Sequence, residues 1–188
     1  MFVLVTGGSG SGKSEYAESR VLQFGDSRRY YIATMRCFDE ESRKRVERHR
    51  RMRSGKGFET VECYLKLKNL SLAETPGKKT SILLECMSNL TANELFDPNG
   101  SGIEALEEIK TGIDRLQRKC DNLVVVTNEL FSDGITYDDG TTQYLSMLGQ
   151  LNQYMASVAD EVVEIVYGLP VFWKRTQDSG TISLGESR

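Results

Sequence analysis

Residues 7–14 read Gly7-Gly8-Ser9-Gly10-Ser11-Gly12-Lys13-Ser14 and fit the spacing G-x-x-x-x-G-K-[ST]. The chemistry such a run can do is phosphate binding. Glycines let the backbone curl until successive N–H groups converge on phosphate oxygens, and a helix opening at the lysine adds its positive end to the same place. In that arrangement Lys13 reaches the β- and γ-phosphates and the Ser14 hydroxyl ligates Mg²⁺. The dinucleotide alternative fails, because from Gly8 or Gly10 the pattern G-x-G-x-x-G breaks at its last position. Such a loop also needs an acid at the end of a neighbouring strand to hold the metal and its water, and Glu85, closing SILLE, stands in that position. Asn128 and Glu129 close another apolar run, LVVVT, and would rim the same crevice.

A second group is built around His49, the sole histidine. Arg45, Arg48, Arg50, Arg51 and Arg53 surround it, and on a helix Arg45 and Arg53 lie one turn before and after it. Positive neighbours disfavour imidazolium, which favours a neutral, nucleophilic ring. The same arginines can clamp a triphosphate and stabilise charge on a transferring group. Attack of an imidazole on phosphorus gives a phosphoramidate, dividing one hard transfer into two displacements.

These residues need a frame, and the chain supplies one. Near-continuous apolar runs at Phe2–Thr6, Tyr30–Thr34, Ser81–Cys86, Leu123–Thr127 and Val162–Tyr167 suit strands buried on both faces of a parallel sheet. Helical segments over 13–25, 39–54, 102–119 and 141–159 alternate with them. That order predicts a single α/β domain of P-loop NTPase type, a mainly parallel sheet flanked by helices. The unit spans residues 1–175, with a polar, frayed tail over 176–188.

Composition bounds the remainder. A chain of 188 residues with 39% hydrophobic and 27% charged residues carries material for one full core. No apolar run approaches the roughly 20 residues that cross a bilayer, and the start, MFVLVTGG, lacks the basic segment of a secretory signal. Cys37, Cys63, Cys86 and Cys120 form no C-x-x-C pair, and one histidine leaves little for a zinc site. A reduced, cytoplasmic protein follows. The net charge of −3 hides an asymmetry: residues 43–56 hold eight Lys/Arg against one Glu, leaving 16 basic and 26 acidic residues elsewhere. One cationic segment on an acidic body suits a small polyanion rather than a nucleic acid.

Taken together, LVTGGSGSGKSEYAE, YIATM, FDEESRKRVERHRRMR, FETVEC, SILLEC, LVVVTNE and the G-Q-L-N-Q…A-S-V-A-D-E-V…V-Y-G-L-P stretch resemble one family over nearly the whole chain. It is the bifunctional adenosylcobinamide kinase / adenosylcobinamide-phosphate guanylyltransferase family of cobalamin assembly. The resemblance implies a P-loop α/β enzyme, usually a homotrimer. Such an enzyme phosphorylates adenosylcobinamide with ATP or GTP, then transfers GMP from GTP to adenosylcobinamide phosphate through a guanylylated histidine. That histidine falls on His49. The resemblance puts GTP against Gly7–Ser14, against Thr34, Met35 and Arg36, against Arg50, Arg51, Met52 and Arg53, and against Glu62 and Glu85. The corrinoid is the partner implied, with no nucleic acid and no membrane insertion.

The chain departs from the family's pattern in three places. Ser9-Gly10-Ser11 lacks an arginine inside the loop, Leu130–Thr136 replaces a V-G-x-G-I-V-P run, and Leu145-Ser146 replaces an R-D pair. Two alternatives stand beside the bifunctional reading: a drifted member with one activity, and a nucleotide-binding module without turnover.

Overall fold

The computed structural model of the protein describes residues 1–37, 39–73, 75–130 and 137–176, without the side chain of Arg45. In chain order the elements are β1 (Phe2–Thr6), α1 (Lys13–Gln23), β2 (Arg28–Ala33), α2 (Glu40–Arg53), β3 (Phe58–Glu62), β4 (Thr80–Glu85), α3 (Met87–Phe96), α4 (Ala105–Lys119), β5 (Asn122–Val126), α5 (Asp139–Val158), β6 (Glu161–Val166) and β7 (Leu169–Arg175). Single 3₁₀ turns at Leu67–Asn69 and Gly102–Glu104 complete the connections.

All seven strands form one sheet in the order β3-β2-β4-β5-β1-β6-β7. Every pairing is parallel except β6 with β7. The parity of the strands divides the core in two. Phe2, Leu4, Ile82, Leu84, Leu123 and Val125 pack with residues of α3, α4 and α5 on one face. Val3, Val5, Tyr31, Leu83, Val124 and Val126 meet Ala17 and Val21 of α1 on the other. Burial on both faces is why these strands read as unbroken apolar runs.

Three elements go beyond the sequence reading. β3 is an edge strand of alternating character, FETVE, with Glu59, Thr60 and Glu62 exposed. α3 is short, with Ser, Asn and Thr in its first half and buried residues around much of its surface, so it carries little periodic signal. β7 has Pro170 near its start and pairs through a two-residue turn. Tyr167 and Gly168 in that turn both have positive φ, 51° and 80°, the geometry of a tight hairpin. Helix ends differ from the expected ranges by a few residues. The segment at 102–119 resolves into a 3₁₀ turn followed by α4.

Thr176, assigned to the tail, donates to the Asp160 carbonyl through both its N–H and its hydroxyl. The remainder of the expected tail, 177–188, and positions 131–136 of one departure lie outside the described residues. No helix among the described residues is long and apolar enough to cross a membrane.

Candidate active site

The glycine loop joins β1 to α1 at the carboxyl end of the sheet. Gly12 precedes the first helical residue at φ 93°, a left-handed conformation that glycine adopts without strain. Gly7 sits tightest: at φ 148°, a Cβ there would lie 2.7 Å from the Ile165 carbonyl oxygen of β6. Within the loop the Ser11 N–H donates to the Gly8 carbonyl, and the Ser11 carbonyl accepts from Gly168 N–H in the β6–β7 turn. Gly8, Ser9 and Gly10 remain exposed, and the buried Ser11 hydroxyl has no partner. Lys13 is 9% exposed and folds back onto the Gly8 carbonyl, Nζ to O 2.8 Å. Burial lowers its pKa from the ordinary lysine value, against the opposing influence of Cys86 and Glu85.

Glu85 occupies the last position of β4 and is 8% exposed. Its Oε1 accepts from the Ser14 hydroxyl, and its Oε2 accepts from the Tyr31 hydroxyl at 3.1 Å. His49 Nδ1 stands 3.6 Å from Oε1. One carboxylate therefore links the loop and the histidine helix.

α2 reaches this point because of its own sequence. Asp39 caps the helix by accepting from Ser42 N–H, while Ser42 Oγ accepts from Asp39 N–H. Glu40 and Glu41 in its first turn and Arg50, Arg51 and Arg53 in its last complement the helix dipole. Val46, His49, Arg50 and Arg53, spaced by three and four residues, present one face to a cleft against β2, β3 and β4. Arg53 is 7% exposed, and its guanidinium lies 3.3 Å from the centre of the Tyr31 ring. Its Nε and Nη1 are buried without hydrogen-bond partners. At the rim, Arg50 Nη2 approaches Glu62 Oε1 at 3.4 Å.

Of the residues singled out from sequence, Met35, His49, Arg50, Arg53, Glu62 and Glu85 line this cleft. Ser14 reaches it through its hydrogen bond to Glu85, whereas Gly7–Ser14 are not part of its lining and Lys13 is turned back onto the Gly8 carbonyl. Thr34 is fully buried, and its hydroxyl donates to the Cys86 carbonyl while accepting from Cys86 N–H. Arg36 is paired with Asp97 and stacked over Tyr64. Arg51 is exposed and Met52 half-buried, both outside the cleft lining. Asn128 donates to Ser88 Oγ at 2.7 Å, and Glu129 N–H reaches the Gly7 carbonyl.

Tyr31 was missed by sequence reasoning. Its signal was a polar-tipped aromatic in register with Leu83, two residues before Glu85. The strand parity that points Leu83 and Glu85 to one face brings Tyr31 beside them.

The donor set suits a hard cation. A hydroxyl and a carboxylate stand together at the mouth of the loop, and Mg²⁺ takes few protein oxygens, keeping waters and phosphate oxygens for its other positions. Among the described residues no group of three or more His, Cys, Asp or Glu could hold a metal unaided. An ion between Ser14 and Glu85 would be shared with a bound phosphate. The hydroxyl of the loop and the imidazole of α2 thus meet at one carboxylate, Glu85.

A mostly parallel sheet carrying a glycine loop, a buried lysine and a strand-end carboxylate defines a P-loop nucleotide-binding protein of the α/β class. Solved structures share the architecture. An ATPase domain of known structure superposes with a TM-score of 0.59, covering 97% of this chain and 78% of that one at 14% identity. A Pyrococcus horikoshii OT3 protein, PH0250, gives 0.51 over 97% and 91% of the two chains at 12% identity. At those identities the likeness concerns fold alone. The family model described as cobinamide kinase / cobinamide phosphate guanyltransferase matches residues 3–172, and the chain belongs to that family. Its curated relatives include proteins of Escherichia coli K12 and Salmonella typhimurium LT2, each called bifunctional adenosylcobalamin biosynthesis protein CobU. Each is 34% identical over 183 residues, covering 91% of this chain and 98% of the relative. A Pseudomonas aeruginosa counterpart, CobP, is 26% identical over 168 residues.

Proposed function

We propose that this protein phosphorylates adenosylcobinamide, with ATP or GTP as donor, and then transfers GMP from GTP to adenosylcobinamide phosphate through His49. The observation that carries the reading is the contact chain Ser14–Glu85–His49. A nucleotide whose β- and γ-phosphates occupy the loop would have its α-phosphate directed toward the histidine.

In the kinase step the loop N–H groups and Lys13 hold the triphosphate, and the acceptor hydroxyl oxygen bonds to the γ-phosphorus as the bond to the β-phosphate breaks. In the guanylyl step an imidazole nitrogen of His49 bonds to the α-phosphorus and pyrophosphate leaves into the loop. The corrinoid phosphate oxygen then displaces the imidazole. Two in-line displacements give net retention at phosphorus. The buried Nε and Nη1 of Arg53, which lack hydrogen-bond partners, would stabilise charge on the transferring group. Mg²⁺ between Ser14, Glu85 and the phosphates would neutralise charge on the polyphosphate.

The reading extends to a cytoplasmic homotrimer whose catalytic unit is residues 1–175 and which takes a corrinoid rather than a nucleic acid. Four free thiols suit a reducing compartment and an acidic body around one cationic helix suits a small polyanion, while the trimer rests on the family resemblance alone. The test is label transfer to adenosylcobinamide. Label from γ-³²P-ATP or γ-³²P-GTP should reach the corrinoid, and label from α-³²P-GTP should reach its phosphate, with Lys13→Ala impairing both. Transfer of γ-label alone would reduce the protein to a kinase, and no transfer of either would refute the reading.

A further inference from the structure

His49 has two ring nitrogens, and the site treats them differently. Nδ1 is buried, lacks a hydrogen-bond partner and faces Glu85 Oε1 at 3.6 Å. The side chain as a whole is 23% exposed, so the accessible part of the ring is the side away from Glu85, toward the cleft. Glu85 is itself fixed. Tyr31, 4% exposed, holds Oε2 through its hydroxyl, and its ring is covered by Arg53. A carboxylate so restrained cannot swing away from the imidazole without breaking that bond.

Resting on the histidine-transfer reading above, we propose that Glu85, anchored by Tyr31, is the positioning carboxylate that directs guanylyl transfer to Nε2 of His49. The neutral ring carries its proton on Nδ1, toward Glu85. The Nε2 lone pair forms the bond to the α-phosphorus, and the bond from that phosphorus to the β-phosphate oxygen breaks, its electrons leaving with pyrophosphate. The ring gains positive charge as the N–P bond forms, and Glu85 faces the Nδ1–H that shares it. In the second displacement the N–P electron pair returns to Nε2, and the neutral ring is restored without loss of a proton. A carboxylate that orients a histidine by its second nitrogen and stabilises its cationic form is a general device. Catalytic hydrogen bonds that are long without substrate tighten when it binds, so the 3.6 Å separation is a starting geometry.

Because the chain has one histidine, the test is unambiguous in untagged protein. The protein labelled with ¹⁵N-histidine is guanylylated with GTP and Mg²⁺, and NMR identifies the ring nitrogen coupled to ³¹P. The proposal expects Nε2. It also expects Tyr31→Phe, which keeps the ring beneath Arg53, to slow adduct formation roughly tenfold with little change in the GTP concentration for half-maximal rate. Glu85→Gln should slow it further and spread the adduct over both nitrogens. An adduct on Nδ1 in the parent protein would overturn the positioning role while leaving histidine transfer intact. Wild-type rates in Tyr31→Phe would remove Tyr31 from the account, and the absence of any adduct would overturn both readings.

Discussion

Replacing Gly7 by alanine separates loop geometry from loop composition. At φ 148° the backbone lies where side chains rarely go, and the added Cβ would meet the Ile165 carbonyl oxygen at 2.7 Å and Ser11 Oγ at 2.8 Å. The serine can rotate. The carbonyl belongs to β6, whose neighbouring residues Val163 and Glu164 are registered against Val5 and Thr6 of β1, so relief requires moving one strand against the other. Backbone strain of about 1–3 kcal/mol and overpacking of about 1–3 kcal/mol combine to a cost of about 2–6 kcal/mol. At about 2–4 °C per kcal/mol for a chain of this size, the melting temperature should fall by about 4–24 °C. Gly8→Ala is the control, since a Cβ there meets nothing within 4 Å and its φ is unexceptional. It should melt within about 1 °C of the parent, as surface changes usually cost under about 0.5 kcal/mol. Thermal melts of the two variants, with nucleotide affinity measured by calorimetry, check the pair. Equal melting temperatures for both would refute the close approach of loop and β6 on which the reasoning rests.

Other outcomes follow from the same geometry. Lys56 pairs with the fully buried Glu18 of α1 at 2.7 Å, tying the turn after α2 to the loop helix. Lys56→Met should cost roughly 2–4 kcal/mol in urea denaturation, with much of it recovered by adding Glu18→Leu. Burial pushes the thiols of Cys63 and Cys120 up to about 11 and about 12, and raises that of buried Cys86, whereas Cys37 is exposed. Since the thiolate is the reactive form, a disulfide reagent at pH 8 should titrate one thiol quickly and all four only after unfolding. Three fast thiols would contradict the buried placements.

The features most legible in the sequence were those fixed by local chemistry. The loop from Gly7 to Ser14 declares itself because few other residues can adopt its backbone, and the five doubly buried strands because both faces are apolar. Glu85 could be placed at a strand end, but its contact with His49 depends on where α2 crosses the sheet, which no local pattern encodes. The arginines flanking His49 looked equivalent, yet packing turned Arg53 inward over Tyr31 and left Arg48 and Arg51 in solvent. β3, α3 and β7 escaped because an edge strand, a helix buried around much of its surface and a proline-bearing strand each blur their periodicity.

The central claim is that His49 carries the guanylyl group. Incubation of the purified protein with α-³²P-GTP and Mg²⁺, followed by denaturing electrophoresis, tests it directly, with His49→Ala as control. The account predicts an acid-labile, base-stable adduct on the parent protein and none on the variant. An equally labelled variant, or an unlabelled parent that still binds GTP, would contradict it.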